Sequence, residues 1–263
     1  MFLINNQLYI DLEPYIDMEG LLAIEHDIIY GLTKSKNDFW EGGASYHNFY
    51  DPSLESLLNA SHPAQLKDPR NPNYNDFKKL NFDVKDCRFF ARYLGKYRQM
   101  GQVLNLRTYL PTDPKGVHNK ASQQYNFDTT AYQHFPSFKE WVNNLKIFSE
   151  IGRIIFWLNA PGEPGAIHKD EFINRPDHHM LINLHPDRKD LFILDDEGNK
   201  QVIQSRAYVF DGRNFHGTQG KDFYSWTIRI DGVFNKEWAE SIGIWDHFDP
   251  NKPHEQLASK TIK

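Results

Sequence analysis

Beyond Gly152 the apolar residues come only in short runs, each closed by turn formers, and this pattern constrains the fold more than any other feature of the chain. The run 153–158 ends at Pro161-Gly162-Glu163-Pro164-Gly165, and further runs follow at 179–184, 190–194, 200–204, Ala207–Phe210 and 223–231. Segments this short, rich in Ile, Val and aromatic residues, read as strands rather than helices. Asp195-Asp196-Glu197-Gly198-Asn199 supplies a hairpin turn between two of them. Many short strands at near-regular spacing predict a sandwich or a jelly-roll barrel.

The preceding part of the chain is organised differently. Gln7-Leu8-Tyr9-Ile10-Asp11-Leu12 alternates as a strand does, and residues 18–32 are expected to form a short helix. Within 83–100, Val84, Cys87, Phe89, Tyr93 and Tyr97 fall on one helical face. The polar stretches 51–76 and 111–124 read as irregular loops and candidate lids. A better-marked helix is expected from Ser137, with Glu140 completing an S-x-x-E capping box. Its stripe of Phe138, Trp141, Val142, Leu145 and Phe148 runs until Gly152 breaks the pattern. The expected fold is mainly β with flanking helices, as one domain over 1–263. Residues 1–150 form a helix-containing, loop-rich part packed on the barrel, 151–235 its core and 236–263 a C-terminal extension.

Composition narrows the function classes. Thirty Lys and Arg against 35 Asp and Glu leave a net charge of −5, which argues against a broad nucleic-acid-binding surface. The lone Cys87 excludes an intramolecular disulfide scaffold, and a reducing, cytoplasmic setting is the simplest reading. No apolar run reaches the ~20 residues of a membrane helix, and Met1-Phe2-Leu3-Ile4-Asn5-Asn6 lacks the features of a signal peptide.

Twelve histidines make any one His-x-Asp pair a weak signal, and three occur: His168/Asp170, His185/Asp187 and His247/Asp249. Holding Fe(II) with open positions takes two neutral imidazoles and one carboxylate on a single face, so a third ligand must come from a distant strand. A keto acid on that metal also needs a cation for its far carboxylate. His168 and Asp170 satisfy these conditions best. They follow a strand and a Pro/Gly turn, several strands fit before His216, and Arg229 lies in the strand 223–231. In that strand Phe223, Ser225, Thr227, Arg229 and Asp231 share a mostly polar face able to line a pocket, opposite Tyr224, Trp226, Ile228 and Ile230. The His247 pair lacks downstream partners. The His185 pair has too few strands before His216 and ranks a distant second.

From Gly152 to Asp231 the chain resembles the Fe(II)/2-oxoglutarate-dependent dioxygenases, most of all the aspartyl/asparaginyl β-hydroxylase and proline hydroxylase-like group. The residues carrying the resemblance are Ile151-Gly152-Arg153-Ile154, Pro164-Gly165-Ala166-Ile167-His168-Lys169-Asp170 and His179-Met180-Leu181-Ile182-Asn183-Leu184. Ala207-Tyr208-Val209-Phe210-Asp211, His216 and Ile228-Arg229-Ile230-Asp231 complete it. The resemblance implies a double-stranded β-helix, jelly-roll and cupin-like, with iron held by His168, Asp170 and His216. It further implies that Arg229 pairs with the 5-carboxylate of 2-oxoglutarate, that His179 touches this cosubstrate, and that O2 hydroxylates an amino acid, a peptide side chain or a small metabolite. Asp231 departs from the family pattern: many relatives carry a small polar residue there. Asp177-His178 replaces the arginine that often precedes the family's counterpart of His179.

Blander assignments stand beside these. His168, Asp170 and His216 could be ordinary turn and loop residues, and His178 and His179 divide evenly between packing and function. Arg107, Arg175 and Arg213 read as solvated charge, and Trp157 and Trp226 as core. Two rival classes remain: a cupin-type metal enzyme without a keto-acid cosubstrate, and a non-catalytic β-sandwich that binds sugars or proteins.

Overall fold

The computed structural model describes residues 1–35, 103–109, 126–159, 167–170, 178–187, 189–223 and 225–249. The readings of 51–76, 83–100, 111–124, Pro161 to Gly165, Arg175 and Asp177 lie outside them.

The Ile- and Phe-rich segment after Asn144 forms the longest of the described strands, β4 (Phe148–Asn159). It begins before Gly152 rather than after it, so the helical stripe expected to reach Phe148 ends earlier. Among the described residues eight further strands are β1 (Tyr9–Asp11), β2 (Val103–Tyr109), β3 (Asn126–Asp128), β5 (His179–Asn183), β6 (Leu191–Leu194), β7 (Lys200–Val202), β8 (Ala207–Phe210) and β9 (His216–Thr218). The last of the described strands is β10 (Ser225–Phe234). β2, β3 and β9 have no counterpart among the strands expected from the sequence.

Seven strands form one antiparallel sheet in the order β1-β8-β5-β10-β4-β2-β3, and three form a second in the order β7-β6-β9. An antiparallel bridge between His168 and His216 adds the chain at His168 to the free side of β9. From β4 onward the chain passes back and forth between the sheets, as β4, His168, β5, β6-β7, β8, β9 and β10. That path, with β8-β5-β10-β4 facing β7-β6-β9-His168, is the double-stranded β-helix of a jelly roll.

Opposed residues of an antiparallel pair share a face. Phe156 and Ile182 both pair with Ile228, while Ile154 and Met180 both pair with Ile230. This outer face is covered by α1 (Met18–Ala23), α2 (Glu25–Lys34) and α3 (Pro136–Asn143), whose Leu21, Ile28, Phe138 and Val142 join the same buried core. Phe135 and Phe138 meet Phe156 edge-on, with ring centroids 5.3 and 5.0 Å away. Trp226 packs against this core and Trp157 against the inner one. Residues 18–32 form two short helices rather than one, with Asp17 capping the first through a bond from Gly20 N. The expected capping box is not formed. α3 starts at Pro136, where the missing N–H costs nothing, and the Ser137 hydroxyl instead donates to Asp27 Oδ2 at 2.6 Å. α4 (Lys236–Ser241) and α5 (Trp245–Phe248) follow β10. Among the described residues no helix is long and apolar enough to cross a membrane.

The inner face of the large sheet carries Ile155, Leu181, Tyr208 and Arg229 in one row, and His179 opposite Asp231 in the next. Leu181, Tyr208 and Phe210 close a small second core with Leu191 and Ile193 of the facing sheet and with Ile203 just after β7. The polar end of this interior is the candidate site.

Candidate metal centre

His168, His216 and Ile193 stand side by side across the small sheet, because His216 pairs with both neighbours. Reciprocal backbone bonds of 2.8 Å clamp His168 to His216, and their rings lie 4.3 Å apart. Two residues on, Asp170 N donates to Gly212 O at 2.7 Å, which ties this acid to the turn leading into His216. One ligand atom from each of His168, Asp170 and His216 lies within 4.8 Å of the others, and His168 Nε2 is 4.0 Å from Asp170 Oδ1. His216 is buried, whereas His168 and Asp170 are partly exposed, so the cluster opens on one side.

His216 Nδ1 sits 2.9 Å from the carbonyl oxygen of Asn214. A carbonyl can only accept, so Nδ1 carries the proton and Nε2 presents a lone pair, the tautomer a metal requires. Burial first, and then the adjacent His168, hold this imidazole well below its ordinary range and keep it neutral, against the opposing pull of Asp170. Burial disfavours ionisation of Asp170, but His216, Arg229, His168 and His179 together outweigh it and hold the carboxyl below its usual range. A carboxylate with two imidazoles is a donor set that suits Fe(II).

The turn behind the ligands is itself anchored. Asp211 is completely buried, accepting from Arg213 Nη2 at 2.5 Å and from His247 Nε2 at 2.8 Å. Although burial opposes ionisation, these bonds hold its carboxyl far below the usual range. Asn214 exchanges bonds of 2.7 and 2.8 Å with the backbone of Phe2, and the Arg213 guanidinium lies 4.1 Å above the Phe2 ring. Residues near both ends of the chain thus fix the loop that delivers His216. This support escaped the sequence reading. Its only visible sign is the Asp211-Gly212-Arg213-Asn214 turn beside a ligand candidate.

Arg229 and His179 lie near enough to act on the charge of Asp170. Arg229 is on the inner face of β10, its Nε donating to Asp231 Oδ1 at 2.6 Å. His179 is buried and meets Phe210 edge-on at 5.4 Å. His178 belongs to the packing. Its Nε2 bonds the Phe248 carbonyl at 2.7 Å and its Nδ1 accepts from Phe234 N at 2.9 Å. His185 stacks on Phe223 at 4.1 Å in the turn after β5, so the distant-second pair does not join the cluster. Arg107 and Arg213 are not solvated charges: Arg107 bonds Asp128 and the Ile151 carbonyl, and Arg213 serves Asp211.

No family model and no curated protein matches the sequence. Solved structures similar to the chain include a full-length Neurospora crassa protein in complex with alpha-KG and thymine, at 12% identity and TM-score 0.40, covering 87% of this chain and 76% of that one. A second is a Burkholderia pseudomallei oxidoreductase of the 2OG-Fe(II) oxygenase family, at 8% identity and TM-score 0.35, covering 65% and 87%. A Pseudomonas putida prolyl-4-hydroxylase is similar at 13% identity and TM-score 0.27, over 41% and 69%. These are likenesses of architecture; the chemistry rests on the side chains of this chain.

Proposed function

We propose that the chain is an Fe(II)- and 2-oxoglutarate-dependent dioxygenase that hydroxylates an unactivated C–H bond of an amino acid, a peptide side chain or a small metabolite. Within that class we place it with the aspartyl/asparaginyl β-hydroxylase and proline hydroxylase-like group that its sequence resembles. The observation carrying the proposal is the gathering of His168, Asp170 and His216 within 4.8 Å, from segments far apart in sequence.

His168, Asp170 and His216 are the metal ligands of this reading, and the Asn214 carbonyl keeps His216 in the binding tautomer. With Fe(II), 2-oxoglutarate and O2 bound, such a site supplies oxidative decarboxylation to succinate and CO2 coupled to hydroxylation. Arg229 anchors the far carboxylate of the keto acid, for which a guanidinium offers two parallel charge-assisted bonds. Next to it, His179 borders the same end of the pocket. The apolar residues Leu181, Ile193, Tyr208 and Phe210 wall the interior and limit water.

Succinate release from 2-oxoglutarate with Fe(II) and ascorbate tests the proposal, in wild type and in Asp170→Ala. Turnover in wild type that Asp170→Ala abolishes supports it. Metal binding without 2-oxoglutarate binding or turnover would instead identify a cupin-type enzyme, and binding of neither would identify a non-catalytic sandwich. Because turnover without the prime substrate can be slow, anaerobic binding of 2-oxoglutarate to the Fe(II) form serves as the second readout.

A further inference from the structure

The chain ahead of β1 doubles back onto the loop that delivers His216. Tyr9 of β1 pairs with Phe210 at the end of β8. Just before it, reciprocal backbone bonds of 2.8 and 2.9 Å between Ile4 and Gln7 close a tight turn over Asn5 and Asn6. Both asparagines have positive φ, a region that their side chains tolerate better than most. The turn returns the chain to the 211–214 loop, where Phe2 meets Asn214. Phe2 N donates to Asn214 Oδ1 at 2.7 Å, and Asn214 Nδ2 donates to Phe2 O at 2.8 Å. The amide thus serves both backbone groups of Phe2, as a neighbouring strand would.

The main chain of the same residue faces the metal ligand. Asn214 N donates to Asp211 O at 3.0 Å, and Asn214 O accepts from His216 Nδ1 at 2.9 Å. Asn214 and His216 are only 4% and 5% exposed, which leaves water little access to replace either bond. A neutral imidazole can carry its proton on either nitrogen, and only the Nδ1–H form presents Nε2 to a metal. The aim of the Asn214 carbonyl selects that form. Two side-chain bonds to Phe2 restrain the residue that carries this carbonyl.

We propose that Asn214 is a positioning residue for the metal centre: its side chain, seated on Phe2, aims its carbonyl at His216 Nδ1, so that the segment ahead of β1 governs the tautomer and the metal affinity of this ligand. The inference rests on the metal-binding reading above and extends it to a segment far from His216 in sequence. Asn214 acts through His216 alone, and Phe2 acts through its backbone rather than its ring.

The test has two readouts on the full-length, metal-free protein: calorimetric titration of Mn(II), and NMR of the labelled imidazole nitrogens, which reports the His216 tautomer with no metal present. Asn214→Ala should turn His216 from the Nδ1–H form into a mixture of tautomers and weaken Mn(II) binding by about tenfold or more. Deleting Phe2 and Leu3 should do the same. Adding that deletion to Asn214→Ala should change Mn(II) affinity by less than about threefold, because both changes remove one contact. Phe2→Leu removes the ring above Arg213 but keeps both backbone bonds, and should leave the tautomer unchanged and Mn(II) affinity within about threefold of wild type. An Asn214→Ala protein that keeps the Nδ1–H form would overturn the proposal, and so would losses that add in the combined variant. If Asn214→Ala fails to fold, the deletion variant is judged by the same two readouts, and an unchanged tautomer there overturns the proposal. Wild type that binds no Mn(II) sinks the metal-binding reading instead, and is seen before any variant is made.

Discussion

Gly212 presses against Asp170 so closely that a Cβ added to the glycine would stand 2.7 Å from Asp170 Oδ2, while the Gly212 carbonyl accepts the Asp170 N–H at 2.7 Å. The contact is with the tip of a side chain, which can swing away at little cost to the fold but not without leaving the cluster. Gly212→Ala should therefore keep near wild-type stability while lowering divalent-metal affinity by about tenfold or more, as disturbed metal support commonly does. Parallel thermal melts and Fe(II) or Mn(II) titrations check this; unchanged metal affinity would separate Gly212 from ligand placement.

Behind the same turn, Asp211 depends on Arg213 more than on His247. Removing the guanidinium leaves a buried carboxylate without its countercharge, so Arg213→Ala should cost about 3–5 kcal/mol. His247→Ala removes one hydrogen bond to a charged group and should cost about 1.5–3 kcal/mol. Urea melts of both variants give the ranking, and the reverse order would contradict it.

Phe156 lies at the centre of the outer core, 1% exposed and flanked by Phe135 and Phe138. Phe156→Ala should destabilise the protein by about 3–5 kcal/mol through lost burial and the cavity left behind. A loss in urea melts of under about 1 kcal/mol would mean that the helices do not close on this sheet as described.

Acid should act through Asp231. Its folded-state value of about 2 lies below the ordinary 3.8 of an aspartate, so the ionised form stabilises the fold above the higher value. That contribution is lost as the pH falls through the lower one, and amounts to about 2 kcal/mol. Between pH about 5 and about 2 wild type should therefore lose about 2 kcal/mol more than Asp231→Asn does. Denaturant midpoints measured across that range test it, and parallel profiles would remove Asp231 as the cause.

The sequence by itself determined the strand-rich second half, its hairpin at Asp195 to Asn199 and the two faces of β10, because period-two alternation and turn chemistry are local properties. It also singled out His168, Asp170, His216 and Arg229. Tertiary structure decided what local pattern cannot encode. Whether Ser137 caps its helix or bonds Asp27 depends on where α2 comes to lie. β9 is too short to show a period, and exists because β6 and His168 flank it. Arg213 and Arg107 read as surface charges until the fold placed Asp211 and Asp128 beside them. The bulge at Gly152, which turns Ile151 to the outer core, likewise arises only when β4 and β10 pair, since a register slip belongs to two strands and not to either one.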